Sequence, residues 1–165
     1  MKRIEAIVIA AVSRDLGIGK QGHLPWSSKS ELQHFQSITL GYPVIMGSKT
    51  YTTLPKLLCG REHIVVSRNP NRIAPGAYVT TSLDAAIQYA NDLGYDKCFI
   101  IGGGEIYKEA LSNCDKVDKL YLSFMEWEGD TDVSFPEFDH KWKRVGRIAY
   151  STENIPWTAF EYNKK

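Results

Sequence analysis

The alternation of strand-like and helix-like segments most constrains the fold of this chain. Over the first two thirds, short runs rich in β-branched residues alternate with segments of helical apolar spacing, and strands alone follow. The predicted strands are residues 4–12, 43–46, 63–67, 78–80, 97–101, 119–124, 142–150 and 158–162. The predicted helices are residues 30–39, 49–54, 83–93 and 105–113. This order predicts an α/β fold with a mainly parallel sheet that ends in an antiparallel hairpin.

Length and charge indicate one globular domain, residues 1–165. The 165 residues with 43% hydrophobic content are enough to bury a sizeable core. Twenty Lys and Arg residues balance nineteen Asp and Glu residues, and the charges form no basic stripe. We therefore expect neither nucleic acid nor a membrane surface as a partner. Nothing in the sequence indicates an obligate protein partner, so we expect a monomer.

The N-terminal segment and the cysteines favour a cytoplasmic protein. Two basic residues precede an apolar run, but Glu5 interrupts it, and the remaining run is short for a signal peptide. We expect a buried first strand there. The cysteines are odd in number and widely spaced, which is typical of reduced thiols rather than of a disulfide framework. They are Cys59, Cys98 and Cys114.

Three glycine-containing loops each follow a predicted strand, at the end where open α/β sheets bind ligands. They read DLGIGKQGHLPW, MGSKT and IIGGGEIY, and together they indicate one extended ligand. Gly102 and Gly104 match the first two glycines of G-x-G-x-x-G, but Tyr107 takes the third place, so the last loop is not a standard Rossmann motif. Glycines at a strand-to-helix joint still allow backbone N–H groups to approach a phosphate. A tight structural turn is the alternative.

The segment GYPVIMGSKT departs from a P-loop. Gly41 and Gly47 are one residue too far apart, and a serine intervenes before Lys49. We therefore exclude phosphoryl transfer. The polar residues at this predicted helix start suit an anion, although a solvated cap with a surface lysine is an equal alternative. The sequence also contains no nucleophile elbow, triad signature or metal-ligand spacing, so we expect no metal.

One carboxylate lies on an apolar helix face. In the segment LPWSSKSELQHF, Leu32 and Phe35 are three residues apart and Glu31 lies on nearly the same face. Ser28 precedes Glu31 by three residues, which matches a capping box. In that motif the two side chains accept hydrogen bonds from backbone N–H groups at the start of their own helix and have no further role. A functional carboxylate is the alternative. Elimination of the other chemistries leaves a nucleotide cofactor and this carboxylate.

The order of the motifs resembles the dihydrofolate reductase family over nearly the whole chain. The motifs are Ala10-Ala11, GIGKQGHLPW, a carboxylate five residues after Trp26, PVIMGSKT, GR, IIGGGEIY and EGDT. The resemblance implies a central eight-stranded, mostly parallel sheet with an antiparallel C-terminal hairpin and four flanking helices. It also implies that the chain reduces 7,8-dihydrofolate to tetrahydrofolate with NADPH.

By match of position, the resemblance assigns a catalytic and substrate-binding set. Glu31 takes the place of the single active-site carboxylate, Trp26 would hold a water, and Ser123 would bond to Glu31 where the family usually has Thr. Tyr107 would place its ring near the nicotinamide site. Arg61 would bind the α-carboxylate of the substrate's glutamate. The other substrate-binding residues are Ala11, Leu24, Leu32, Phe35, Leu54, Leu58 and Ile101.

The chemistry of the substrate explains why one carboxylate can both orient the pterin and help to protonate it. A carboxylate can accept a ring N–H and an exocyclic amino group of a pterin in one charge-assisted pair. The pterin N5 must gain a proton before hydride reaches C6, and a carboxylate in a partly apolar pocket, or its bound water, helps to supply that proton.

The resemblance also assigns a cofactor-binding set. Gly103, Gly104, Glu105 and Ile106 would form the pyrophosphate joint, and a cis peptide is implied between Gly102 and Gly103. Positive charge at Lys49 and Arg68 would favour the 2′-phosphate of NADPH over NADH. Residues 18–24 would form a mobile loop over the nicotinamide. The remaining cofactor-binding residues are Ala11, Ile18, Gly47, Ser48, Thr50, Ser67, Ile101 and Tyr107.

Several positions depart from the family pattern. SSKSE lacks a common Leu-Pro, His34 stands where an aromatic or apolar residue is usual, Cys59 replaces a common Pro, and GDTDVSFP is two residues longer than usual. With Glu at the acid position, PWSSKSE looks more like plasmid-borne, trimethoprim-resistant reductases than the housekeeping bacterial form. The alternatives are a related NADPH-dependent reductase of riboflavin biosynthesis and a non-catalytic folate- or nucleotide-binding module.

Overall fold

The structure is a computed structural model that describes residues 3–112, 115–138 and 140–165. Its strands are β1 Glu5–Val12, β2 Gly17–Gly19, β3 Val44–Gly47, β4 His63–Val66, β5 Ala77–Thr80, β6 Lys97–Gly102, β7 Val117–Met125, β8 Val133–Ser134, β9 Trp142–Ser151 and β10 Trp157–Lys164. Its helices are α1 Lys29–Thr39, α2 Ser48–Thr53, α3 Leu83–Asp92 and α4 Gly104–Ser112.

The strands of the described segments form an eight-stranded sheet in the order β5-β4-β3-β6-β1-β7-β10-β9. Parallel pairing extends from β5 to β7, whereas β10 is antiparallel to both β7 and β9. With the four helices, this confirms the predicted architecture. The carboxyl ends of the parallel strands meet at one edge of the sheet, where such folds bind ligands.

Every predicted element is present, and its ends differ from the prediction by one or two residues at most, as is usual for helix and strand ends. The predicted helical end at Asn113 lies outside the described residues. Cys114 also lies outside them, while Cys59 is exposed and Cys98 is buried.

A second sheet of two strands was not predicted. β2 pairs with β8 in antiparallel fashion, with Gly17 opposite Ser134 and Gly19 opposite Val133. Backbone bonds from Asp132 N–H to Gly19 and from Phe135 N–H to Leu16 extend the pairing. The loop that follows β1 is therefore joined to the segment that follows β7.

Both faces of the main sheet are covered, and β1 shows why. Its side chains alternate between two hydrophobic clusters, as they must in a strand with a two-residue repeat. Ala6, Val8, Ala10 and Val12 face the cluster that contains α3 and α4, and Ile7 and Ile9 face the opposite one. Among the described residues, a smaller third cluster contains Trp26, Met125, Trp157 and Ala159. No described helix combines the length and apolarity needed to cross a membrane.

Candidate active site

Glu31 is directed from α1 toward β7. Helix α1 begins after Ser28, whose Oγ accepts the Glu31 backbone N–H at 3.3 Å. The carboxylate Oε2 accepts instead from Ser123 Oγ at 2.9 Å, across 92 positions of sequence. The capping-box prediction is therefore correct for the serine hydroxyl and wrong for the carboxylate. Ser123 is buried, and its hydroxyl needs an acceptor that Glu31 supplies.

Burial sets the protonation of this carboxyl group. It raises the pKa of Glu31 from 4.5 to about 7, against the opposing effect of the Ser123 hydrogen bond. Tyr107 enters the same site from α4 and donates its hydroxyl to the Ile9 carbonyl at 2.8 Å. Burial and the nearby charge of Glu31 both raise the pKa of Tyr107. The site thus holds a carboxyl group that exchanges a proton near neutral pH beside a phenol that stays protonated.

The sheet places a small residue next to this pair. Ala11 of β1 lies opposite Ser123 of β7 in the parallel register, so both are at the same level of the sheet. Ala11 packs against the third cluster, where Trp26 is buried. The Trp26 ring lies 5.6 Å from that of Trp127, which the sequence did not indicate as part of the site.

An apolar wall continues from Glu31 along one face of the sheet. The predicted substrate residues Phe35, Leu54, Leu58 and Ile101 all pack, half-buried, against the cluster formed by Ile7, Ile9 and Phe99. Two other predicted residues do not join them: Leu24 and Leu32 are 54% and 53% exposed. Of the seven predicted apolar substrate residues, the structure therefore assembles four into one surface, while Ala11 packs against the third cluster.

Arg61 is held at the C-terminal end of α1. Its Nε donates to Thr39 Oγ1 at 2.9 Å, its Nη2 to the Gln36 carbonyl at 2.7 Å, and its Nη1 to the Cys59 carbonyl at 2.5 Å. Burial lowers its pKa. Since a guanidinium has five N–H donors, each Nη keeps one N–H for a carboxylate ligand.

The joint between β6 and α4 fits a pyrophosphate. The peptide between Gly102 and Gly103 is cis, as the resemblance implied. The Tyr107 N–H bonds to the Gly103 carbonyl at 2.9 Å and starts the helix, so the N–H groups before it have no helical acceptor and suit an anion. A Cβ on Gly104 would lie 2.6 Å from the Val133 side chain, so this approach requires glycine.

The joint between β3 and α2 packs on the same region. A Cβ on Gly47 would lie 2.9 Å from the Ile106 side chain, and a Cβ on Gly103 would lie 3.2 Å from Thr50 Oγ1. Four predicted cofactor residues, from two separate loops, are thus brought into contact. The backbone at both joints is kept accessible by glycine.

Positive charge flanks these joints. Arg68 Nη2 lies 3.9 Å from a Glu105 carboxylate oxygen, with both side chains exposed. Arg72, which was not predicted, donates from Nε to Ser48 Oγ at 2.8 Å and from Nη2 to Thr52 Oγ1 at 3.2 Å. No local pattern links Arg72 to Ser48, 24 positions away. Two further predicted residues flank the joints: Ser67 is buried and accepts from the Asn69 N–H, and Lys49 is exposed.

The predicted mobile loop begins in an ordered strand. Ile18 lies in β2 and packs against the larger hydrophobic cluster. Past β2, the Gln21 N–H donates to Asp132 Oδ2 at 2.9 Å, and Lys20 Nζ lies 3.9 Å from Asp130. The loop is therefore held in place by the segment that precedes β8.

Comparisons with known proteins agree with this geometry. The family model described as dihydrofolate reductase matches residues 5–164. Dihydrofolate reductase type 3 of Salmonella typhimurium is 37% identical over 156 residues, which cover 94% of this chain and 93% of that protein. Dihydrofolate reductase of Bacillus subtilis (strain 168) is 35% identical over 138 residues, which cover 83% and 79%. The solved structure of dihydrofolate reductase from Enterococcus faecalis, complexed with NADP(H) and RAB-propyl, superposes with a TM-score of 0.86 at 26% identity, covering 98% and 96% of the two chains.

Proposed function

The chain belongs to the dihydrofolate reductase family, whose members are NADPH-dependent oxidoreductases, and on that premise we propose that Glu31 orients and protonates the pterin as the chain reduces 7,8-dihydrofolate to tetrahydrofolate. The observation that carries the proposal is the direction of the Glu31 side chain. Its carboxylate bonds to buried Ser123 rather than to its own helix start. A carboxyl group with a pKa of about 7 in that position is suited to proton transfer at neutral pH.

The ionised form of Glu31 orients the substrate. Two carboxylate oxygens accept a ring N–H and an exocyclic amino group side by side, which fixes the pterin in one orientation. Phe35, Leu54, Leu58 and Ile101 supply the apolar wall against which the ring packs. At the far end of this wall, the two remaining N–H groups of Arg61 bind the α-carboxylate of the glutamate tail.

The protonated form of Glu31 provides the acid. Since its pKa is about 7, a substantial fraction carries a proton at neutral pH, and that proton reaches the pterin N5 directly or through a water held near Trp26. Tyr107, with a raised pKa, stays neutral and anchors β1 through the Ile9 carbonyl.

The cofactor site is formed by the two glycine joints. Bound NADPH supplies the hydride. Gly103, Gly104 and the first turn of α4 hold the pyrophosphate through backbone N–H groups, and Ala11 leaves room for the nicotinamide beside the first strand. Lys49 and Arg68 provide the charge for a 2′-phosphate, with Ser48, Thr50 and Ser67 around the ribose.

Turnover with dihydrofolate tests the assignment. We expect NADPH oxidation that depends on dihydrofolate, and a loss of about 10²-fold or more in hydride transfer at pH 7 in Glu31→Gln, which keeps the shape but cannot donate a carboxyl proton. Glu137→Gln, the same change at an exposed position, serves as the matched control and should keep the wild-type rate. Turnover of a ribosylated pyrimidine instead would support the riboflavin-pathway alternative, and binding without turnover would support the non-catalytic one. Normal turnover in Glu31→Gln would defeat the role of Glu31.

We also propose that trimethoprim binds this enzyme weakly. Glu has one methylene more than Asp, which moves the carboxylate relative to a diaminopyrimidine, and here that carboxylate is drawn toward Ser123. His34 and the SSKSE segment further change the inhibitor-facing helix.

The exchange Glu31→Asp tests the resistance proposal. Shortening the side chain should lower the trimethoprim inhibition constant by about tenfold. This corresponds to about 1.4 kcal/mol of additional binding free energy. Glu153→Asp, on the exposed turn before β10, is the matched control. A wild-type inhibition constant as low as that of sensitive bacterial enzymes would refute the proposal.

We further propose that the enzyme is cytoplasmic and monomeric and that it acts on small molecules. The cysteine pattern is typical of reduced thiols, and the balanced charge gives no surface for nucleic acid. Sedimentation at micromolar concentration measures the oligomeric state, and a stable dimer would contradict the monomer.

A further inference from the structure

Trp157 contacts the first turn of α1 next to the catalytic carboxylate. Its Nε1 donates to Ser30 Oγ at 2.8 Å, and Ser30 directly precedes Glu31. Trp157 is 4% exposed, so its indole N–H needs a partner within the protein. A buried strand residue is thus bonded to the helix position adjacent to Glu31.

The sheet register connects this bond with the one made by Glu31 itself. β10 runs antiparallel to β7, with Ala159 opposite Ser123 and Trp157 opposite Met125. Residues two apart on a strand share a face, so Trp157 and Ser123 project on the same side of two bonded strands. The first turn of α1 is therefore attached to the sheet at two points, through Ser30 to β10 and through Glu31 to β7.

A ring contact strengthens the first attachment. His34 lies one turn after Ser30 on α1, and its ring centroid is 5.1 Å from that of Trp157. His34 departs from the family pattern at this position, and its contact with Trp157 gives it a local role. One indole thus touches α1 at two successive turns of the same face.

We propose that Trp157 is a positioning residue, which acts through Ser30 to hold the first turn of α1 so that the Glu31 carboxyl stays half-buried against Ser123. The inference rests on the proposed function of Glu31. It assigns no contact with substrate or cofactor to Trp157.

Loss of the bond has a defined consequence for Glu31. Without it the first turn can move away from β10, water reaches the carboxyl group, and the effect of burial on its pKa weakens. The other titratable groups near this network are Tyr107 from α4, His34 on α1, and Tyr150 and Glu153, which line the same pocket as Ser30 and Trp157. Burial raises the pKa of Tyr107 and lowers that of His34, so both are neutral near pH 7 and neither replaces the effect of burial.

The test is the pH dependence of single-turnover hydride transfer in Trp157→Phe, Ser30→Ala and the double variant. Phe keeps most of the ring packing and removes the N–H, and Ala removes the acceptor. We expect each single variant to lower the apparent pKa by about half to one unit, which slows hydride transfer at pH 8 by about three- to tenfold and leaves the rate at pH 5 unchanged. Ser30→Ala also removes a 3.5 Å contact between Ser30 Oγ and the Ser28 hydroxyl. Because Trp157→Phe breaks only a bond that Ser30→Ala has already removed, the double variant should match Ser30→Ala.

Matched substitutions elsewhere serve as controls. Ser37→Ala lies on the same helix, where its hydroxyl donates to the His34 carbonyl, and Trp142→Phe changes a buried indole on β9. Both should keep the wild-type pH profile, even if they lower the melting temperature.

The outcomes separate this inference from the function on which it depends. If Trp157→Phe and Ser30→Ala lower only the melting temperature and keep the wild-type pH profile, the positioning role is wrong. If Glu31→Gln itself turns over normally, the proposed function fails instead. Should Trp157→Phe not fold, the Ser30→Ala profile decides the question.

Discussion

The proposed role of Glu31 as an acid depends on its burial, because the fold keeps water away from the carboxyl group. An ionised carboxylate prefers solvent, and its half-buried position against Ser123 raises the pKa to about 7. The same burial on which the proposed proton transfer depends also makes the folded state less stable whenever the group is charged. Function and stability are therefore opposed at this residue.

Replacement of Glu31 by Gln should stabilise the protein at high pH. The folded pKa lies above the unfolded value of 4.5, so the folded protein binds more protons between pH 4.5 and about 7, and stability falls as pH rises through that window. Above about pH 7 the folded state bears the full free-energy cost of the buried charge. A shift from 4.5 to about 7 corresponds to an upper bound of about 3 kcal/mol, so we expect the Glu31→Gln variant to gain about 1–3 kcal/mol at pH 8 and nothing at pH 4.

Urea unfolding at both pH values measures this gain. Glu153→Gln, an exposed change, should leave the unfolding free energy the same at each pH. Equal stability of wild type and Glu31→Gln at pH 8 would show that the folded protein bears no cost for the charge.

Local sequence predicts residue roles only where the partner is local. Ser28 was predicted as a helix cap because its partner is three residues away, and the structure has that bond. Ser123 was found through the family resemblance, since nothing in the residues near Glu31 specifies a partner on β7. The contacts of Trp157 with Ser30 and of Arg72 with Ser48 had no sequence signal.

At the scale of elements, the loop after β1 depends on the segment around β8. The two strands contribute only Gly17–Gly19 and Val133–Ser134, so few bonds hold them together. The Gln21–Asp132 bond reinforces the pairing from outside the strands. Such weakly held segments are the ones that open first in native proteins, which is consistent with the predicted mobile loop over the nicotinamide.

Removal of the Asp132 side chain should release this loop. We expect Asp132→Ala to increase amide exchange at Gly19 and Gln21, to lower the hydride-transfer rate about three- to tenfold, and to cost less than about 1.5 kcal/mol of global stability. Hydrogen exchange and single-turnover kinetics measure these effects. Asp130→Ala is the control. The Asp130 side chain is 96% exposed and its ion pair with Lys20 is long, at 3.9 Å, so its loss should have little effect. Unchanged protection in Asp132→Ala would show that this bond does not hold the loop.

Element prediction failed where an element is too short to have a pattern. Long strands such as β1 and β7 have enough β-branched and apolar residues to be recognised. A three-residue Gly-Ile-Gly strand and a two-residue Val-Ser strand have none, and both exist because each pairs with the other. Their existence depends on tertiary pairing, which a local reading does not contain.

At the scale of the whole molecule, the parallel sheet explains why distant motifs form one site. β1, β3 and β6 are neighbours in the sheet and end at the same edge, so the loops after them meet. Ala11, Gly47 and Gly103 come together for this reason. Sequence order therefore predicted that these loops meet, but it did not predict the individual side-chain contacts between them.

Cofactor binding should stabilise the whole molecule, and NADPH more than NADH. At 100 times its dissociation constant, NADPH adds about 2.7 kcal/mol, which raises the melting temperature by about 5–10 °C for a domain of this size. NADH at the same concentration should add less, because it lacks the phosphate that Lys49 and Arg68 would bind.

Thermal melts with both cofactors test this preference. The double change Lys49→Gln, Arg68→Gln should remove most of the difference, as should high salt. Arg147→Gln, on the far edge strand β9, should not. A difference that persists in the double variant would place the 2′-phosphate elsewhere.

The titration of the Glu31 carboxyl group in the folded protein decides whether this residue can donate a proton near neutral pH. Carbon-13 NMR of labelled glutamate, with Glu31→Gln to assign the signal, measures it directly. We expect a transition near pH 7, moved to higher pH in Ser123→Ala, which removes the hydrogen bond that lowers the pKa. A transition near 4.5, unaffected by Ser123→Ala, would mean that Glu31 is an ordinary solvated carboxylate and would contradict the account.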